Sequence, residues 1–150
     1  MARIIHLLFA ALTGALALMS PLAAAEGLPP IVGVWLVKDS AAPFPYHMYV
    51  FNADGTMQQA NPDAGNPRTS DSDGKGVWKI VDGRVHGKFV EITADRATHK
   101  FIGIGEISFD LAVTGDRFEG TGTARFYDAE HKPTEGPFAT SLSGSRVKVE

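Results

Sequence analysis

The sequence predicts an all-β fold: a single antiparallel up-and-down β-barrel of about eight strands, following a cleaved signal peptide. Three observations predict it. After the first 25 residues no window carries a helical apolar stripe; short alternating runs recur instead, punctuated by Gly, Pro, Asn and Asp. Several of those breaks are tight hairpin signals, which pair neighbouring strands in chain order. The two longest runs also pair with one dry and one wet face, as strands around a single core do. Closing such strands into a barrel removes the edges that long hairpins would otherwise expose.

The leader comes first. Arg3 gives a positive start, Leu7 to Met19 is an apolar run of 13 residues broken only by Thr13 and Gly14, and Ala23 and Ala25 have the small-residue spacing of a cleavage site before Glu26. The run is short for a bilayer span, which needs about 20 apolar residues. The expected organisation is a signal peptide at 1–25 and one β-barrel domain at 26–150, periplasmic or secreted, with no stable membrane anchor. The 125 residues left after cleavage suffice for one domain. A chain of that length buries roughly two-thirds of its unfolded surface, enough for a core without disulfides. That agrees with a cysteine count of zero in an exported chain.

Strands are expected near Ile31–Val37, Tyr46–Phe51, Thr56–Ala60, Gly76–Val81, Arg84–Thr93, Lys100–Thr114, Arg117–Tyr127 and Pro137–Val149. "NADGT" reads as a type I turn with Gly55 left-handed, "VDGR" as a type I′ hairpin, and "TGDR" as a type II′ hairpin with Gly115 first. The stretch Ala60 to Gly76 has no periodicity. It is either a loop over the barrel mouth or a solvated connection.

The hairpins set register. With Gly115 and Asp116 as the loop, Val113 faces Phe118, Leu111 faces Gly120, Phe109 faces Gly122, Ile107 faces Ala124, and Gly105 faces Phe126. In the other tight hairpin Trp78 faces Gly87 and Gly76 faces Phe89. Each small residue meets a large one, so these glycines serve packing and curvature in preference to leaving a hollow. The opposite faces are polar: Glu106 meets Arg125, Ser108 meets Thr123, Asp110 meets Thr121 and Lys79 meets His86.

"VGVW" puts Gly33 and Trp35 on the first strand, and "LSGSRV" puts Arg146 on the last. These three residues resemble the lipocalin-like (calycin) barrels, in which a Gly-x-Trp opens the barrel and an Arg of the final strand packs over the Trp. A guanidinium stacks well on an indole, and the first and last strands adjoin on closure. There is no Thr-Asp-Tyr second motif. The resemblance implies a barrel that holds one small apolar ligand, a fold from which some relatives have become enzymes.

Chemistry is sparse. Thirteen Lys and Arg stand against seventeen Asp and Glu after the leader, without a basic block, so no nucleic-acid partner is expected. In "PFPYHMYVF" either His47, Tyr49 and Phe51 face inward with Met57, Gln59 and Asn61, or Tyr46, Met48 and Val50 do. Both faces are part apolar, and the first is slightly preferred. Tyr46, His47, Tyr49, Met57, Gln59 and Trp78 are therefore the candidates for lining or rimming a site for a small apolar or aromatic molecule.

Two other functions compete with binding. One is a cofactor-independent isomerase or lyase, with His47 as general base and Tyr49 orienting the substrate. The other is a filled barrel acting through protein contacts. Glu91 shares the Phe89 face if alternation holds and would then be a buried carboxyl of raised pKa; the preferred reading ends the strand there, in solvent. His86, His99 and His131 lack metal-ligand spacing, and Asp71 and Asp73 lack the Glu that would complete a calcium loop. No cofactor or metal is expected.

Overall fold

The computed structural model describes residues 27–62 and 67–150; the predicted signal peptide lies outside the described residues. Nine strands follow in order: β1 (Gly33–Asp39), β2 (His47–Phe51), β3 (Thr56–Ala60), β4 (Thr69–Asp71), β5 (Gly74–Val81), β6 (Arg84–Asp95), β7 (Phe101–Thr114), β8 (Arg117–Asp128) and β9 (Pro133–Arg146). Eight of them close an antiparallel barrel in chain order, with β1 pairing both β2 and β9, and β6 pairing both β5 and β7. β4 is the addition. It pairs with β6 alone and takes the place beside it that β5 leaves beyond Val90.

Turn chemistry fixes the register. Asp82 and Gly83 both have positive φ, as a type I′ turn demands, and Gly115 has φ 57° at the head of its hairpin. Every cross-strand pair expected from those two turns is present, from Val113 opposite Phe118 to Gly105 opposite Phe126, and from Trp78 opposite Gly87 to Gly76 opposite Phe89.

The short turns all lie at one end, and that end is filled. Trp35, Phe51, Leu111, Phe118 and Ile31 are fully buried there with Met57, Val85 and Leu142. Trp35 stacks obliquely on Phe118 at 5.1 Å, and Phe51 meets Trp78 edge-on at 6.0 Å. Each such aromatic pair adds about 0.5–1.5 kcal/mol beyond its buried area. Arg146 covers this end. Its guanidinium carbon lies 4.3 Å from the Trp35 ring centroid, and its Nη1 donates to Val32 O at 2.7 Å.

Several strand ends differ from expectation. The first strand begins at Gly33 because Pro29 to Val32 forms a turn, with Val32 N–H donating to Pro29 O at 2.9 Å and Trp35 Nε1 donating to Ile31 O at 2.7 Å. The last strand runs from Pro133 to Arg146 in place of 137–149. The stretch 60–76 is not wholly irregular, since Thr69–Asp71 and Gly74 onward are strand; three polar residues are too few to show a period.

Candidate functional site

The connections at 40–46 and 96–100 gather at the other end of the barrel with Asn61 and Pro62, and there the interior opens into a cavity of about 850 Å³. Its floor is aromatic. Tyr49 and Phe89 are buried and meet edge-to-face at 5.6 Å, and Tyr49 lies 6.3 Å from Phe109, which belongs to the filled end. Ile107, Ala124, Phe126 and Phe138 form one wall, while His47, Gln59 and Asn61 form the other. The β1–β2 loop bends over the mouth and sets the Phe44 ring 4.9 Å from the His47 ring.

β2 presents His47, Tyr49 and Phe51 to the interior, in the slightly preferred of its two orientations. Tyr49 and Phe51 are 1% exposed, whereas Met48 is 52% exposed. β3 follows with Met57 and Gln59 inside, opposite Phe51 and Tyr49. Of the six candidate lining residues, His47, Tyr49 and Gln59 come together on the cavity. Met57 lies deeper, in the filled core. Trp78 is also in that core, its Nε1 donating to Thr56 O at 3.0 Å and Asn52 O at 3.1 Å beside the β2–β3 turn. Tyr46 is on the outside, half-exposed under Lys38, whose Nζ is 5.3 Å from its ring centroid. The physical reason is the pleat: with His47 inward, its neighbour Tyr46 points away.

Gln59 organises the polar wall. Gly74 N–H donates to its Oε1 at 2.9 Å, so its Nε2 is the donor that meets His47 Nδ1 at 3.2 Å and also reaches Asn61 Oδ1. Accepting at Nδ1 places the proton of the neutral imidazole on Nε2, which is buried without a hydrogen-bond partner among the described residues. Burial lowers the His47 pKa, against a smaller opposing pull from Asp39. The ring is therefore neutral near pH 7. With Nδ1 engaged by Gln59 and Nε2 protonated, the ring is arranged as a donor.

Glu91 is the residue that sequence reasoning set aside. It lies in the cavity lining, not in solvent, because β6 continues to Asp95 between β7 and β4. Burial pushes its carboxyl up to about 7, and the carboxylates of Asp71 and Asp73 push the same way. Burial also raises the Tyr49 phenol, with Asp39 and Glu91 adding to it, so this hydroxyl stays protonated. Phe44, Asp39 and Asp71 were missed as well. Two lie in or beside irregular segments, where alternation assigns no side; Asp39 ends β1, and its side followed from Trp35 and Val37.

Among the described residues no group of three His, Cys, Asp or Glu side chains is placed to hold a metal ion. No family model matches the chain, and neither a curated protein nor a solved structure matches it.

Proposed function

We propose that this protein is an exported, lipocalin-like binding barrel that holds a small, largely apolar molecule in the cavity opposite its filled end. One observation carries the reading: the interior is packed at one end and leaves about 850 Å³ at the other, walled by aromatic side chains with a few polar groups. That composition is typical of a small-ligand pocket, and the volume lies within the usual range. The stacking of Arg146 on Trp35 across the β1–β9 seam supports the lipocalin-like assignment. The test is native mass spectrometry of protein purified from an exporting cell, against its denatured mass. A mass excess lost on denaturation is expected. A bare mass in repeated preparations, with no uptake of small aromatic probes at millimolar concentration, overturns the reading.

A catalytic reading is favoured by one observation, the Glu91 carboxyl held near neutrality in the same cavity. A group of that pKa exchanges protons efficiently at pH 7. An isomerase or lyase built here would use Glu91 as its acid or base, with His47 as the neutral donor. It predicts that Glu91→Gln abolishes turnover of a ligand whose binding survives.

A further inference from the structure

The cavity reading leaves the charge of the ligand open, and the side chains around the cavity narrow it. Asp39, Asp71, Glu91, Asp128 and Glu135 line it, and no lysine or arginine does among the described residues. Asp73 acts on Glu91 from beside them, and His47 supplies no balancing charge because burial lowers its pKa.

Three of these carboxylates are already engaged. Asp39 Oδ1 accepts from Ala41 N–H at 2.9 Å and from the Thr140 hydroxyl. Asp71 Oδ1 accepts from the Thr93 hydroxyl at 2.7 Å. Asp128 Oδ1 accepts from Glu130 N–H at 3.0 Å and Lys132 N–H at 2.8 Å. Glu91 and Glu135 have no hydrogen bond and no ion pair among the described residues, but Glu135 is exposed, whereas Glu91 is half-buried. Glu91 also stands beside Gly105, where a Cβ would lie 3.7 Å from its Oε2. An unpaired carboxylate withdrawn from water is costly, and a cation placed against it removes the cost. The walls favour the same charge, since the faces of Phe44, Phe126 and Phe138 attract cations.

We infer that the ligand is an organic cation, a protonated amine on a small apolar body, with its nitrogen against Glu91 and its body among Phe89, Phe126 and Phe138. This rests on the cavity reading above. The same field disfavours carboxylate-headed ligands such as fatty acids.

The experiment is calorimetric titration at pH 8 with 2-phenylethylamine, 2-phenylethanol and phenylacetate, which share one apolar body. The amine is expected to bind at least tenfold more tightly than the alcohol, and phenylacetate more weakly than either. Lowering the pH to 5 neutralises Glu91 and brings amine and alcohol within about threefold; Glu91→Gln does the same at pH 8. The wild-type comparison and its pH dependence need no variant, so a misfolded variant leaves the test intact. Equal binding of amine and alcohol, or preference for phenylacetate, overturns the inference while the cavity reading stands. An amine preference that survives both pH 5 and Glu91→Gln overturns the assignment to Glu91. If none of the three binds at millimolar concentration, the cavity reading fails and the inference with it.

Discussion

Glu91 shows how a single side chain acquires a property that its sequence neighbours do not announce. Alternation from Phe89 places it inside, yet a charge near the expected end of a strand belongs in water by default. What keeps it inside is β4, three residues with no legible period, which pairs with β6 at Thr93 to Asp95 and closes the wall around the carboxyl. The consequence for stability is signed. A carboxyl whose pKa is about 7 folded and 4.5 ordinarily binds more protons in the folded state between those values, so stability falls as pH rises through that window. Below pH 4.5 both states are protonated and Glu91 contributes nothing; above pH 7 its ionised form weakens the fold. Glu91→Gln is thus expected to stabilise the protein by about 1–3 kcal/mol at pH 8 and to be neutral at pH 4. Urea unfolding at the two pH values measures it, and equal effects at both contradict the buried carboxyl.

At the scale of strands, the exchange of large and small residues was legible in register but not in direction. Hairpin chemistry put Phe109 opposite Gly122, and the two are paired on β7 and β8. The ring leans the other way, over Gly87 of β6, where a Cβ would overlap it; the space above Gly122 is closed by Leu142 and Thr140 of β9. Phe118 likewise covers Gly144 on β9. Every barrel strand has two neighbours, while a tight turn reveals only one, so the covering partner stays hidden until closure defines the second. The lean also explains how one end is filled while the other is hollow, because Phe109 and Phe118 are spent on the closed half. Gly87→Ala is expected to cost about 1–3 kcal/mol by overpacking, and Phe109→Ala about 3–5 kcal/mol by leaving a cavity. In the double variant the alanine methyl no longer meets a ring, and only its 2.8 Å approach to Val77 O remains, so the combined cost falls below the sum. A double-mutant cycle by urea denaturation reads this coupling; strict additivity contradicts the lean.

Across the whole molecule the two ends do different work. Short turns, readable as Asn-Ala-Asp-Gly, Asp-Gly and Gly-Asp, close the filled end, whereas the long connections without local signatures surround the cavity. Architecture was therefore legible, and the mouth was not. The filled end depends on closure, because Trp35 pairs with Arg146 across the seam of first and last strands. There Arg146 makes four contacts with three parts of the chain: it stacks on Trp35 in β1, donates to Val32 O at 2.7 Å and to Pro30 O in the turn before β1, and reaches Asp116 Oδ1 in the β7–β8 turn at 3.1 Å. Gly33 holds φ 135°, a conformation that side-chain-bearing residues rarely adopt, and a Cβ there would also lie 2.7 Å from the Arg146 Nη1; both favour glycine two residues before the tryptophan. Removing the guanidinium loses the stacking and leaves two carbonyls without their donor. Arg146→Ala is expected to cost about 2–4 kcal/mol. Lysine carries the charge but cannot stack flat and serve both carbonyls together, so Arg146→Lys should recover less than half of the loss. Tryptophan fluorescence during urea unfolding follows both variants, since both tryptophans are buried near this end. Full recovery by lysine would reduce Arg146 to a surface charge. Probe binding at the cavity, measured on the folded fraction, should not change in either variant, because the filled core separates the two ends.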